Sequence, residues 1–156
     1  MEEIIRRISQ QLISEDVMLV TAESCTGGWI AKTLTDVAGS SQWFDRGFIT
    51  YSNVSKVEML GVSMETLAQY GAVSEQIAAE MAMGALNNSQ GGYGVSVTGI
   101  AGPDGGSPEK PVGTVCFGWA KKNGAVFSKT FLFAGDRERI RAQAVKCALL
   151  GLFDIF

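Results

Sequence analysis

The chain has 156 residues, 46% hydrophobic and 19% charged, with a net charge of −3. That length buries one core without disulfide or metal staples, and the composition excludes disorder. The acidic balance excludes a broad nucleic-acid or anionic-membrane surface and leaves room only for a local basic pocket.

Ile4, Ile5, Ile8, Leu12 and Ile13 fall at helical spacing, which predicts a helix over 3–15. This segment has no signal-peptide h-region, and no run in the chain is long and apolar enough to span a bilayer. Val17 to Ala22 reads as a buried strand, and Thr26-Gly27-Gly28 opens a helix to about Val37. Ala38-Gly39-Ser40-Ser41 is a loop, and Phe48 to Tyr51 is the centre of a second strand. Helices follow over about 54–60 and 63–70, and a longer one runs from Ser74, its cap, to about Asn88. Tyr93 to Thr98 is a third strand, followed by a Gly- and Pro-rich loop to Gly113. Thr114–Lys121 and Ala125–Phe133 form a hairpin about Asn123-Gly124, a strong turn signal. Arg137 to Phe153 is the last helix. The apolar end from Leu149 to Phe156 packs either on its own core or at a dimer interface.

No repeat or linker divides this order, so residues 1–156 form a single domain. Helices between the early strands imply parallel pairing, and the hairpin adds an antiparallel strand. The predicted fold is α/β, a three-layer α/β/α sandwich with a mixed, mostly parallel sheet. Its ligand crevice lies beyond the C-terminal strand ends, at the loops after Ala22, Tyr51 and Thr98.

Histidine is absent, which excludes Ser-His-Asp and Cys-His catalysis and the common His-containing zinc sites. A general base must therefore be Lys, Tyr, a carboxylate or an activated water. Three cysteines, an odd count with no secretory signal, point to a reducing, cytoplasmic compartment.

Ser24 sits at a strand-to-helix junction, where it is a candidate nucleophile. The N–H groups of Cys25, Thr26 and Gly27 and the helix dipole are candidate oxyanion donors. The competing reading is that Ser24 or Thr26 caps the helix. Cys25, with no histidine to activate it, reads as a wall residue. Lys56 lies one turn into the helix after Tyr51, so both face the same crevice. A partly buried lysine can be neutral enough to take a serine proton, with Tyr51 relaying or positioning it. The competing reading is a solvated lysine and a core tyrosine. The loop after Thr98 contains Gly99, Gly102 and Gly105, whose backbone can approach and cradle an anion. Arg137 could grip a phosphate, or Asp136 simply caps a solvated helix face. Ser41 offers a hydroxyl from another loop.

The segments TAESCTGGWIA, AGSSQWFDRGFITYSN, GAVSE, TGIAGPDGG, KPVGTV and GDR together resemble the CinA C-terminal domain family, and within it the stand-alone nicotinamide-nucleotide amidohydrolases. The resemblance covers nearly the whole chain. It implies an α/β/α homodimer that converts nicotinamide mononucleotide to nicotinic acid mononucleotide and ammonia, with no metal or organic cofactor. It also implies site roles for Ser24, Tyr51, Lys56, Thr98, Ser41 and Arg137. Related sequences often carry Glu after Tyr-Ser-Asn, where this chain has Val54. A catalytically silent nucleotide-binding relative and an amidase of a different substrate are the alternatives.

Overall fold

A computed structural model describes residues 1–156. In chain order it contains α1 (Glu2–Glu15), β1 (Leu19–Glu23), α2 (Trp29–Thr35), a 3-10 turn at Ser40–Gln42 and β2 (Phe44–Ile49). Next come α3 (Asn53–Leu60), α4 (Met64–Tyr70), α5 (Glu75–Asn87) and β3 (Tyr93–Gly99). The chain closes with β4 (Thr114–Lys121), β5 (Val126–Leu132), α6 (Arg137–Leu150) and a 3-10 turn at Gly151–Asp154.

The sheet order is β2-β1-β3-β4-β5. β1 pairs in parallel with β2 and β3, and β4 pairs antiparallel with β3 and β5. Residue types match these positions. The central strands β1, β3 and β4 are buried on both faces and read as near-continuous apolar runs. The edge strands β2 and β5 are half-exposed and carry the charged residues Asp45, Arg46 and Lys129. On one face, Ile5, Ile8 and Leu12 of α1, Ile30 and Leu34 of α2, and Ile140 and Ala144 of α6 pack on Val95, Val97 and Phe117. On the other, Leu60 of α3 and Ile77, Met81 and Ala85 of α5 cover Val20 and Ala22. Each fully buried aliphatic side chain contributes about 1.5–3 kcal/mol, so the two apolar layers hold the sheet between them. Gly118 lets α5 lie close on β4, because a Cβ there would meet Ala78 O at 2.3 Å.

The structure shows the three-layer α/β/α sandwich and its mixed sheet. Ser74 caps α5 by accepting the Ile77 N–H, and Asp136 caps α6 by accepting the Arg139 N–H. Three boundaries differ from the pattern-based expectation. The second helix begins at Trp29, because Gly27 and Gly28 take φ of +60° and +95° and form a turn first. Strand β2 runs over Phe44–Ile49, earlier than expected, since its charged edge residues hide its strand character. The last α-helix stops at Leu150 and tightens into the 3-10 turn. The apolar C-terminus packs mainly on its own core, with Leu149, Leu152 and Ile155 buried and Phe156 edge-on to Tyr93 at 5.0 Å. No helix is long and apolar enough to cross a membrane.

Candidate active site

The parallel register aligns the C-terminal ends of three strands, with Glu23 opposite both Ile49 and Val97. The ladder continues slightly past these ends. Ser24 N–H donates to Val97 O at 3.0 Å, and Thr50 N–H donates to Glu23 O at 2.8 Å. Ser24 is thereby held by its backbone beside the start of the Tyr51 segment. It is only 8% exposed.

Helix α3 carries the partner. Ser52 and Ser55 form a reciprocal capping box at its start, which fixes the direction in which the helix leaves the sheet. Lys56 then points inward and is 1% exposed. Its Nζ lies 2.8 Å from Thr50 O and 3.0 Å from Ser24 Oγ. No carboxylate is within ion-pair distance of it. Burial therefore pulls its pKa below the ordinary lysine value of 10.5. Once neutral, the amine has a lone pair, and the Ser24 hydroxyl can donate across the same contact. The spacing argument, Lys56 one turn into the helix after Tyr51, is met by this geometry. Thr50 Oγ1, on the residue whose carbonyl holds Lys56, is buried with no protein partner. Val54 is exposed and two residues from Lys56, so it projects away from the lysine's face of the helix.

Glu23 was not among the expected site residues, yet its buried carboxylate organises the turn. It accepts from Thr26 Oγ1 at 2.7 Å, Ile30 N at 2.8 Å and Ala31 N at 2.9 Å. The first-turn donors of α2 are thus already occupied, which corrects the expectation that they face a ligand. Neither Ser24 nor Thr26 caps α2; the acidic side chain seven residues ahead does so. Gly27 N–H is also spent, on Ser24 O at 3.0 Å. The N–H groups of Cys25 and Thr26 have no protein acceptor, and they adjoin Ser24. Burial pushes the Cys25 thiol up to about 11, so it stays protonated near neutrality. Arg141, which with Arg137 and Arg139 was expected as a candidate phosphate grip, instead donates from Nε to Cys25 O at 3.1 Å and from an Nη to Thr26 O at 3.0 Å. Its spacing of four from Arg137 placed both on one helix face, which was the available signal.

Arg137 bridges the mouth of the site. It donates to Gly102 O at 2.9 Å and to the Tyr51 hydroxyl at 3.1 Å. Tyr51 is 62% exposed, and no hydrogen bond joins its hydroxyl to Ser24 or Lys56, so the expected proton relay has no contact here. Gly99 ends β3, and Gly102 and Gly105 take φ of +80° and +92° in the following loop. The N–H groups of Ala101, Gly102, Asp104, Gly105 and Gly106 have no protein acceptor and form a set of free donors. Thr98 is buried, and its hydroxyl donates to Ala72 O at 2.8 Å, tying β3 to the start of α5. Ser41 is not brought to the site. It precedes β2, at the opposite end of the strand from Ile49. Six residues of strand separate it from the crevice by about 20 Å.

Fold and site together define an α/β/α sandwich that carries a buried serine–lysine pair at its parallel strand ends. The chain belongs to the CinA C-terminal domain family, which it matches over residues 1–156. It is 54% identical over 150 residues to the nicotinamide-nucleotide amidohydrolase PncC of Escherichia coli (strain K12), covering 96% of this chain and 91% of that protein. It is 63% identical over 128 residues to the PncC of Enterobacter agglomerans, covering 82% of this chain and 78% of that one. The crystal structure of the competence/damage inducible protein CihA from Agrobacterium tumefaciens superposes with a TM-score of 0.95 at 49% identity. That match covers 98% of this chain and 93% of CihA.

Proposed function

We propose that this chain hydrolyses the carboxamide of nicotinamide mononucleotide to nicotinic acid mononucleotide and ammonia, with residues 1–156 acting as one amidohydrolase domain. The observation that carries the reading is the 3.0 Å contact between Lys56 Nζ and Ser24 Oγ inside the fold. The name of the 54%-identical relative supplies the substrate. In a chain without histidine, a desolvated amine is one of the few bases open to such chemistry, and Lys56 is the one in contact with Ser24.

Lys56 Nζ takes the Ser24 proton as Oγ forms a bond to the carboxamide carbon, and the carbonyl π electrons move onto oxygen. The cationic pyridinium ring makes that carbon more electrophilic. The free N–H of Cys25 receives the oxyanion, an interaction typically worth about 3 kcal/mol at the transition state. The intermediate collapses, the C–N bond breaks, and the Lys56 ammonium returns its proton to the leaving nitrogen as ammonia. Water then attacks the acyl-serine, with Lys56 again as base, and Ser24 recovers its proton. Arg137 and the free donors of the Ala101–Gly106 loop bind the ribose phosphate, and Tyr51 orients Arg137. Remote binding of this kind positions the amide and discriminates against free nicotinamide.

The working form is proposed to be a cytoplasmic homodimer. An apolar groove lined by Trp119, Phe131, Phe133 and Leu150 supports an interface with a second copy. Sedimentation at twice the 16.6 kDa monomer mass is the expected result.

Purified protein mixed with nicotinamide mononucleotide should release ammonia, and Ser24→Ala should lose that activity while keeping its circular dichroism spectrum. Full activity in Ser24→Ala would reject the covalent scheme, and ligand-induced thermal stabilisation without ammonia would favour a silent nucleotide-binding role.

A further inference from the structure

We propose that the hydrogen bond between Arg137 and Tyr51 is a latch that the phosphate of the substrate opens. The phosphate draws the guanidinium off the Tyr51 hydroxyl, and the freed hydroxyl turns in toward Ser24 and Lys56. The inference rests on the amidohydrolase reading above and deepens it: a terminal phosphate becomes the trigger of turnover as well as its anchor.

Arg137 is exposed and spends its donors on two neutral acceptors, Gly102 O at 2.9 Å and the Tyr51 hydroxyl at 3.1 Å. No carboxylate lies within ion-pair distance of it, although the chain carries 16 acidic residues. A phosphate dianion offers this guanidinium full charge attraction and a planar two-oxygen match, both of which a neutral oxygen lacks. The Gly102 contact also holds Arg137 beside the free N–H groups of Ala101, Gly102, Asp104, Gly105 and Gly106. An anion cradled by those donors therefore meets a cation that is already in place.

Tyr51 is built to move when that bond breaks. It is 62% exposed, and its hydroxyl has no other protein partner, so little packing opposes rotation of the ring. Its backbone, by contrast, is fixed beside the base. Tyr51 follows Thr50, whose carbonyl lies 2.8 Å from Lys56 Nζ and whose N–H donates to Glu23 O. The side chain thus hinges one residue from the group that holds Lys56. With the latch shut, the hydroxyl touches neither Ser24 nor Lys56. A ligand shifts such an equilibrium only by binding one state better, and a phosphate on Arg137 does so by competing with Tyr51. A hydrogen bond to a charged group is worth about ten- to a hundredfold in an equilibrium, which sets the size of the switch.

The test uses nicotinamide riboside, which lacks the phosphate, with inorganic phosphite supplied separately as a small dianion at constant ionic strength. Phosphite should speed ammonia release from the riboside by the unaltered chain about ten- to a hundredfold. In Arg137→Ala the latch is permanently open. That variant should turn over the riboside about five- to tenfold faster than the unaltered chain and should not respond to phosphite. Removing a residue that only anchored phosphate would leave the riboside rate unmoved. Tyr51→Phe should keep the riboside rate low and lose the phosphite response, and adding it to Arg137→Ala should erase the gain. No acceleration by phosphite in the unaltered chain, or an Arg137→Ala riboside rate at or below the unaltered one, would overturn the latch. If Arg137→Ala fails to fold, Tyr51→Phe decides, and a retained phosphite response there overturns the latch. Nicotinamide mononucleotide is the control substrate. Its failure to release ammonia overturns the amidohydrolase reading and the latch with it, whereas ammonia release beside an inert phosphite overturns the latch alone.

Discussion

The two loops that face each other across the crevice are built in opposite ways. The turn after β1, Ser24 to Gly28, is held by side chains from three elements: Glu23 at the end of β1, Lys56 of α3 and Arg141 of α6. The loop after β3, Ile100 to Gly113, is exposed from Pro103 to Glu109 and leaves seven N–H donors free, five of them between Ala101 and Gly106. Its main side-chain tethers are Arg137 on Gly102 O and Lys110 Nζ on Tyr70 O at 2.7 Å. Bond-making groups need sub-ångström placement, and cross-braced backbone supplies it. The ribose phosphate of the proposed substrate needs donors that can close around it, the role proposed for this glycine-rich segment. The contrast predicts that damage to the first loop appears in kcat and stability, and damage to the second in KM.

The largest effect should come from removing the base. Lys56→Met is expected to slow ammonia release by about 10³- to 10⁴-fold, read by steady-state assay, with the fold retained. The same amine sets the pH dependence. Because burial lowers its pKa in the folded chain, kcat/KM should rise with pH and level off below 10.5. The unfolded chain binds this proton more tightly. Stability should therefore also rise with pH between the folded value and 10.5, and urea denaturation of Lys56→Met should lose that part of the slope.

Next in size is the brace beneath the serine. Glu23→Ala removes three hydrogen bonds and strands two N–H groups, so it should destabilise the chain by about 3 kcal/mol in chemical denaturation. Glu23→Gln, which keeps one acceptor oxygen, should cost about half of that. The smallest effect on the fold belongs to the second loop. Arg137→Ala should raise KM about tenfold with kcat and Tm nearly unchanged. A fall in kcat with unchanged KM would show that the two loops do not divide the work.

The sandwich and the meeting of Ser24 with Lys56 were legible in sequence, while the braces were not. Alternating apolar stretches, Ser74 and Asp136 as caps, and Asn123-Gly124 as a turn are local signals, and local hydrogen bonds realise them. With no histidine in the chain, Lys56 is one of the few side chains able to take a serine proton. Glu23 escaped because a cap is expected within three residues of the donors it serves, whereas its carboxylate serves Ile30 and Ala31 across a glycine turn. The contact of Arg141 with the turn was not legible because its partners lie 115 and 116 residues away, and no periodicity encodes such a contact. Ser41 was misplaced for the converse reason. Its loop is near β2 in sequence, but strands have two ends, and only the C-terminal one meets Ser24.

If Ser24 and Lys56 act as one unit, either loss disables the same step. A double-mutant cycle in ammonia release tests this, using Ser24→Ala, Lys56→Met and the pair together. The expected result is a double variant no slower than the slower single one. Losses that multiply, or a Ser24→Ala enzyme at the unaltered rate, would contradict a shared proton between these two side chains.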